Sequence, residues 1–336
     1  MVMSGASILR KVFKKRAPKR LQAGFTLIEV LVSMVVAGFV ISGLMFLVVD
    51  LLRTDQRELT LEQTQQDMKR ALDYIADDLR EAIFVYDNPT PLVTALNATA
   101  SALPAGAQPV LVFWKVNTLN EDANDYTKLS TPGTASCNGL SGDPLANCRA
   151  LLVRHSYYEL VVYYSTDDPD PTWEGAARIY RYSVPEYSRN ALTDAATTLA
   201  VNDVYVENTT VSPVQGGSPS PQFLSWTPNT AGADSGNSAA LVDYVADLTT
   251  GVAPTCEAGY TQFPAANLSI SFYVCVRPRD AANDLLNQDV TVYLKGNADP
   301  AGDSLSVRGI SENSELPTLQ TRVLVRGVTD KDLLEE

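Results

Sequence analysis

The dominant pattern in this chain of 336 residues is an uninterrupted apolar run near the N-terminus, over residues 24–49. The run reads GFTLIEVLVSMVVAGFVISGLMFLVV, contains no proline, and carries a single charge at Glu29. A helix over residues 25–49 is long enough to cross a hydrocarbon core of about 30 Å at about 1.5 Å per residue. A carboxylate at membrane depth costs roughly 2.5–3.5 kcal/mol, so Glu29 predicts a partner that a single helix does not supply.

The pattern becomes amphipathic over residues 50–86. Apolar side chains recur at the helical spacings of three, four or seven residues; they are Leu61, Met68, Leu72, Ile75, Leu79, Ile83 and Tyr86. Charged residues fill much of the opposite face, which predicts that this half lies on a soluble head domain with its polar side in water. We expect the helix to end at Asn88-Pro89, because the residue before a proline avoids the helical region.

Short strand-like segments dominate residues 87–336, after a connecting loop over residues 88–108. The predicted strands cover residues 110–116, 157–165, 177–184, 241–248, 268–276, 290–294 and 319–325. Residues 185–240 are rich in Ser, Thr, Asn, Gly and Pro, which predicts long surface excursions. One long helix followed by strands predicts an α+β fold, in which an antiparallel sheet wraps on the helix with few or no further helices.

A basic leader, residues 1–24, precedes the apolar run. It contains seven Lys and Arg residues and no acidic residue. Because positive flanks stay in the cytoplasm, the head is expected on the other side of the membrane. The apparent cleavage point lies before the apolar run rather than behind it, so the helix should remain on the mature protein.

The sequence G-F-T-L-I-E, from Gly24 to Glu29, resembles the N-terminus of type IV prepilins and type II secretion pseudopilins. The resemblance implies the pilin fold, cleavage by a prepilin peptidase between Gly24 and Phe25, methylation of the new N-terminus at Phe25, and a role for Glu29 in assembly. It also implies other pilins or pseudopilins, an inner-membrane assembly platform and membrane lipid as partners. The protein would then be a single-pass inner-membrane protein before it enters a pilus or pseudopilus. An ordinary membrane anchor is the alternative, and it requires neither Gly24 nor Glu29.

A second segment of the sequence resembles a smaller group within these families. Residues 68–82, MKRALDYIADDLREA, resemble the second half of the long helix in large minor pilins and J-type minor pseudopilins. Within that group they resemble a pseudopilin of hormogonium polysaccharide secretion, and the final two strands resemble the ending of the same family. This resemblance implies a minor subunit that serves filament initiation or the secretion of a surface polymer.

The charge balance argues against nucleic acid as a partner. The chain has 26 basic and 39 acidic residues, and removal of the seven leader cations would leave 19 against 39, a net charge of −20. Nonspecific binding of nucleic acid needs clustered Lys and Arg side chains, which this chain lacks outside its leader.

Four cysteines form two local pairs in the sequence, Cys137 with Cys148 and Cys256 with Cys275. An even count in an exported domain favours disulfides, although the spacing leaves cross-pairing open. Zinc is not expected, because C-x-x-C spacing is absent and the only histidine, His155, has no evident metal partner.

The sequence gives little support for catalysis or for a cofactor. It contains no G-x-S-x-G, Walker or H-E-x-x-H motif. The acidic residues Asp73, Asp77 and Asp78 are interpreted as a solvated helix face rather than a metal site. Residues 166–171 and 296–304 have enough Asp and Asn oxygens for calcium, but turn formation explains them better.

Two functions from different classes remain. The first is a structural pilin or pseudopilin subunit, which is not an enzyme. The alternative is a membrane-tethered glycan-binding module or hydrolase, for which the tyrosine-rich strands over residues 157–165 and 177–184 could form an aromatic platform. Alternating aromatic residues are ordinary on half-buried sheets, and this favours the first function.

Overall fold

The computed structural model describes residues 24–100, 103–104, 106–118, 142, 145, 148–149, 151, 153, 155–168, 172–186, 223, 226–228, 236–248, 254–265, 267–278, 288–298 and 316–325. Two helices and nine strands lie in these segments, and they are numbered here in chain order. They are α1 (Leu27–Arg80), β1 (Ala82–Val85), α2 (Thr90–Ala100), β2 (Gln108–Thr118), β3 (Ser156–Thr166), β4 (Ala177–Pro185), β5 (Asn237–Val245), β6 (Thr261–Phe263), β7 (Phe272–Val276), β8 (Asp289–Leu294) and β9 (Leu319–Leu324). The predicted α+β class with a long N-terminal helix and antiparallel strands is confirmed.

The strands form two antiparallel sheets, whereas the sequence pattern predicted one. The first sheet has the order β1-β2-β3-β4-β5, and the second has the order β6-β7-β8-β9. An isolated bridge between Val245 and Gly296 joins the end of β5 to the segment after β8. Next to it, Ala246 donates its backbone N–H to Lys295 and Asn297 donates to Tyr244.

The chain divides into two compact units, residues 1–57 and residues 58–336. In the first unit, the large apolar side chains of α1 are exposed from Leu27 to Leu52. In the second unit, which we call the head, the C-terminal half of α1 buries Met68, Leu72, Ile75 and Leu79. These side chains pack with residues of both sheets in one core, so the amphipathic pattern of the second half correctly marks the packed face.

The first helix ends earlier than the spacing of apolar residues predicted. It ends at Arg80 rather than at Tyr86, and Ala82–Val85 pairs with β2 as the edge strand β1. The sequence AIFV suits a strand, and tertiary pairing outweighs the helical spacing of Ile83 and Tyr86. Gln288 fixes the strand further, since its side-chain amide accepts from the N–H of Val85 and donates to the C=O of Val85.

A second core lies on the other side of the first sheet, beneath α2. The connecting loop predicted over residues 88–108 contains this helix, and the Asn88 side chain accepts from the N–H of Thr90 at its start. The aromatic residues Phe223 and Trp226 also pack into this core, in contact with Trp114. They come from the polar segment 185–240, so the prediction of surface excursions alone was wrong for these two residues.

Candidate processing and assembly site

The first helix begins directly after a local cap at Thr26. The backbone N–H of Glu29 donates to Thr26 Oγ1 at 3.4 Å and to the Thr26 carbonyl at 3.0 Å. Thr26 and Glu29 therefore stand in the T-x-x-E spacing of a capping box, with the acid in the first turn of the helix. This role of Thr26 was not recognised in the sequence, although the spacing alone would have indicated it.

The residues at the expected cleavage point lie outside any packed environment in the described structure. The side chain of Phe25 is 80% exposed. A Cβ added to Gly24 would meet no described atom within 4 Å, and the backbone there is not left-handed. Nothing in the described part of this chain therefore requires glycine at position 24, so a requirement for glycine would have to come from another protein.

The helix after this point presents apolar side chains on all sides. Among the described residues, α1 is the one helix long and apolar enough to cross a membrane by length and composition. The polar hydroxyls within it are satisfied internally, because Ser33 donates to the carbonyl of Val30 and Ser42 to that of Gly38. Only Glu29 keeps an ionisable group in the first turns, and no ion pair joins it to another described residue.

The comparison with known protein families identifies this segment. The family model of the prokaryotic N-terminal methylation motif matches residues 19–45. No curated protein and no solved structure matches the chain. The chain thus carries the methylation motif of type IV pilin-like proteins on an apolar N-terminal helix, and its long helix and antiparallel sheets agree with the architecture of that class. The motif supports a pilin or pseudopilin that a prepilin peptidase processes.

The head holds a buried charged group where α1 meets the first sheet. We call Asp78, Lys115, Glu159, Tyr163 and Arg181 the Asp78 cluster. Asp78 Oδ1 accepts from Lys115 Nζ at 2.9 Å, and Asp78 Oδ2 accepts from Tyr163 Oη at 2.6 Å and from Arg181 Nε at 2.7 Å. The side chains of Asp78, Lys115, Glu159 and Arg181 are all 15% exposed or less. The cluster therefore ties one turn of α1 to β2, β3 and β4.

The electrostatics of the Asp78 cluster stabilise its charged form. Burial raises the pKa of Asp78, but the hydrogen bond and charge of Arg181, with Tyr163 and Lys115, outweigh it and lower this pKa below its usual value. Burial lowers the pKa of Lys115, yet the neighbouring Asp78 and Glu159 carboxylates raise it above its usual value. Burial and the Asp78 charge also raise the pKa of Tyr163, so its hydroxyl remains a neutral donor.

This burial corrects the interpretation of the acidic helix face. Asp77 is exposed and pairs with Arg80 on the same helix, as expected of a solvated face. Asp78 is 7% exposed and belongs to the core, so its assignment to that solvated face was wrong. Within the described segments, no group of three His, Cys, Asp or Glu residues has metal-binding geometry. Much of the two loops considered for calcium, residues 166–171 and 296–304, lies outside those segments.

A second buried carboxylate, that of Asp289, is bonded to several side chains of the second sheet and the segment before it. The side chain of Asp289 on β8 is 2% exposed and accepts from Tyr260 Oη at 2.7 Å. Arg322 on β9 donates from Nε to both carboxylate oxygens, at 3.0 and 2.9 Å. Burial raises the pKa of Asp289, but Arg322, Tyr260 and Arg277 together lower it below its usual value.

The cysteines are placed as follows. A disulfide joins Cys256 to Cys275 on β7, with the two Cα atoms 5.7 Å apart, and this is the second of the two pairs in the sequence prediction. Cys148 is buried and disulfide-bonded. Cys137 lies outside the described residues, so the first pair stays a prediction.

Three tyrosines of the tyrosine-rich strands pack inside the protein and do not form an exposed platform. Tyr163, Tyr164 and Tyr182 are each 2% exposed or less. Tyr163 packs against Phe113 under α1, and Tyr164 stacks on Tyr180 in the second core. The ordinary interpretation of these aromatic residues as sheet packing therefore holds for this group.

Proposed function

We propose that this chain is a minor pilin or pseudopilin that a prepilin peptidase cleaves between Gly24 and Phe25 and methylates at Phe25. The observation that carries the proposal is the combination of the methylation motif with an exposed helical segment, residues 27–49, that is apolar except for two serines and the carboxylate of Glu29 in its first turn. Such a surface is stable in a lipid bilayer or against other helices of the same kind, and not in water.

The assembly step depends on Glu29. After cleavage, the α-amine of Phe25 on a neighbouring subunit is the nearest cation of suitable type and depth for this carboxylate. The pair would set the axial register between subunits, with the inner membrane, its lipid and an assembly platform as the place of assembly and the head outside the cytoplasm. Loss of one member of a buried ion pair costs about 3–5 kcal/mol.

The size and the charge of the head favour a minor pilin over a major one. About 250 residues follow the first helix, which is large for a major pilin, and the net charge of −20 in the mature chain disfavours close packing of many identical heads. Filament initiation or secretion of a surface polymer suits a subunit present in few copies. The acidic mature chain also disfavours nucleic acid as cargo.

The test replaces Glu29 by valine in the full chain, in cells that contain the peptidase and the assembly platform. Membrane insertion and cleavage should persist, because the change makes the span more apolar. Recovery with sheared filaments should fall to background. Ser33→Ala is the matched control, since it removes a polar group one turn further along whose hydrogen bond is internal. Unchanged recovery of Glu29→Val in filaments would refute the pairing.

A further inference from the structure

A groove on the head has no role in the functions described above. It lies between α1, the turn before β4 and the strand β5, and its volume is about 590 Å³. Ligand pockets in proteins commonly have volumes of about 300–1,000 Å³. Three aromatic side chains line the groove, Tyr74 on α1, Trp173 in the turn and Tyr244 on β5. Tyr74 is 47% exposed although it is a large aromatic residue.

The strand β5 is distorted where it borders the groove. Its pairing with β4 shifts register twice, between Ala177 and Ile179 and again between Ile179 and Tyr180. Tyr244 has a φ of 60°, a left-handed conformation that is rare for an aromatic residue and is strained. Bulges of this kind re-aim side chains, and strained residues cluster at binding sites. The distortion directs the Tyr244 hydroxyl to Glu174 Oε2 at 2.7 Å.

The turn that carries Trp173 is fixed to the same distortion. Asp243 Oδ2 accepts from the backbone N–H groups of Glu174, at 3.1 Å, and Gly175, at 3.0 Å. A Cβ at Gly175 would lie 2.3 Å from the backbone nitrogen of Tyr244, so only glycine allows this approach. Two hydrogen bonds to Asp243 and the close approach of Gly175 to Tyr244 therefore fix the backbone beside Trp173 against β5. A binding site held in this way is preorganised.

The polar groups of the groove restrict the chemistry of its ligand. Asp67 is paired with Arg70 at 3.2 Å, and Glu174 already accepts from Tyr244. Burial and the Glu174 carboxylate raise the pKa of Tyr244 to about 12, so its hydroxyl stays protonated. Each carboxylate is thus engaged but keeps acceptor capacity on its second oxygen. A third acid, Asp243, also lines the groove; its Oδ2 accepts from two backbone N–H groups, and its Oδ1 is buried and therefore not open to a ligand. Three acids against one arginine repel anions, and each of the three acids is already bonded to a group of the protein.

We propose that this groove binds a neutral saccharide chain. A pyranose ring offers a face of C–H groups, which packs on the negative face of Trp173 or Tyr74, and an edge of hydroxyls, which donate to the acceptors of Asp67 and Glu174. An added peptide strand fits less well, because the bulges of β5 interrupt the regular ladder that strand addition needs. The inference is independent of the proposed assembly through Glu29.

The test uses the full mature chain in nanodiscs of phospholipid, which avoids detergents with sugar head groups. Cellopentaose, maltopentaose and mannopentaose are titrated by isothermal calorimetry, with pentagalacturonic acid as the anionic comparison. At least one neutral pentasaccharide should bind saturably, and the anionic one should not. Tyr74→Ala and Trp173→Ala should each weaken binding at least about tenfold, by analogy with the loss of a stacking ring.

Leu324→Ala is the control, because Leu324 is 66% exposed on β9 in the other sheet. The affinity of this variant for the pentasaccharide should equal that of the parent protein. Tyr74 lies on an exposed helix face, so its removal tests the groove even if Trp173→Ala unfolds the turn. Binding of no neutral pentasaccharide at millimolar concentration would overturn the proposal, as would binding that both aromatic variants retain. A photocrosslinking residue at position 173 that captures a neighbouring subunit in assembled filaments would assign the groove to subunit contact instead.

Discussion

Tyr163 on β3 donates its hydroxyl to the carboxylate of Asp78 on α1 at 2.6 Å, across 85 positions of sequence. The same carboxylate accepts from Lys115 on β2 and Arg181 on β4. One acidic residue of the helix is therefore bonded to three adjacent strands, and each strand contributes a different donor. Within the head, this arrangement fixes both the rotation and the axial position of the second half of α1 on the first sheet, which hydrophobic contacts alone specify less sharply.

Replacement of Asp78 by asparagine should destabilise the head strongly. The change keeps the shape of the side chain but leaves Lys115 and Arg181 with Glu159 as their one shared buried counter-charge, at 3.9 and 3.7 Å. Breaking the closer pairs with Asp78 should cost about 3 kcal/mol, the lower end of the range for a broken buried ion pair. Urea unfolding of the full chain in lipid nanodiscs measures the loss. Asp77→Asn is the control, because Asp77 is exposed beside it, and it should change stability by less than about 0.5 kcal/mol. Equal effects of the two variants would contradict the assigned role.

The free energy of unfolding of the head should fall at low pH because of Asp78 and Asp289. Both have a pKa below the usual value for aspartate, so the unfolded chain binds protons more readily than the folded one. Their stabilising contribution is complete above the usual pKa of about 3.9 and is lost as the pH falls further toward the folded pKa. Unfolding midpoints at pH 7, 5 and 3 should drop mainly between the last two. Asp78→Asn should reduce that drop, and an unchanged drop would exclude Asp78 as a cause.

Replacement of Gly24 by valine should block processing. The structure around Gly24 has room for a side chain, so the substitution should leave the fold intact and act only on recognition by the peptidase. Mass spectrometry of membranes from cells with the peptidase should find the leader retained. Gly38→Val provides the comparison, since Gly38 also has no described atom near its missing Cβ and should be cleaved normally. A mature mass for the Gly24 variant would contradict the proposed cleavage.

Loss of the Cys256–Cys275 disulfide should lower stability by about 3 kcal/mol, the value for a closed loop of this size. The double variant Cys256→Ser, Cys275→Ser tests this by urea unfolding under oxidising conditions. Reduction of the parent protein should remove at least as much stability as the double substitution does.

Non-reducing peptide mapping should also find Cys137 linked to Cys148, and a Cys137–Cys256 peptide would refute local pairing.

Two glycines should differ in how they tolerate alanine. At Gly296 a Cβ would meet Met68 Cγ at 2.9 Å and Leu316 Cδ1 at 3.1 Å, which are atoms of side chains that can change rotamer. At Gly175 it would meet the backbone of Tyr244 at 2.3 Å, and backbone does not yield without loss of hydrogen bonds. We expect a cost of about 1 kcal/mol for Gly296→Ala and about 3 kcal/mol for Gly175→Ala. Thermal unfolding compares the two, and the reverse order would refute the close approach at Gly175.

The sequence pattern located the apolar helix and seven of the nine strands to within a few residues, because those segments combine long periodic patterns with clear turn signals. It missed β6, which has three residues and so no pattern to recognise, and β1. It also missed the burial of Asp78, since both β1 and this burial depend on partners far along the chain. Lys115 and Glu159 each stand as the single charge of a largely apolar strand, and Arg181 is one of two arginines in β4. That contrast was the available signal for a buried ionic group. The burial of Phe223 and Trp226 had no local signal, because a polar neighbourhood of Ser, Thr and Pro surrounds them.

The Asp78 cluster draws every member from the chain between Asp78 and Arg181. Synthesis delivers residues in sequence order, so the groups that bind the second half of α1 to the first sheet are present before any later segment. The polar stretch after β4 and the whole second sheet follow only afterwards. A change in the length or sequence of those later parts therefore leaves untouched every residue that binds the second half of α1 to the first sheet.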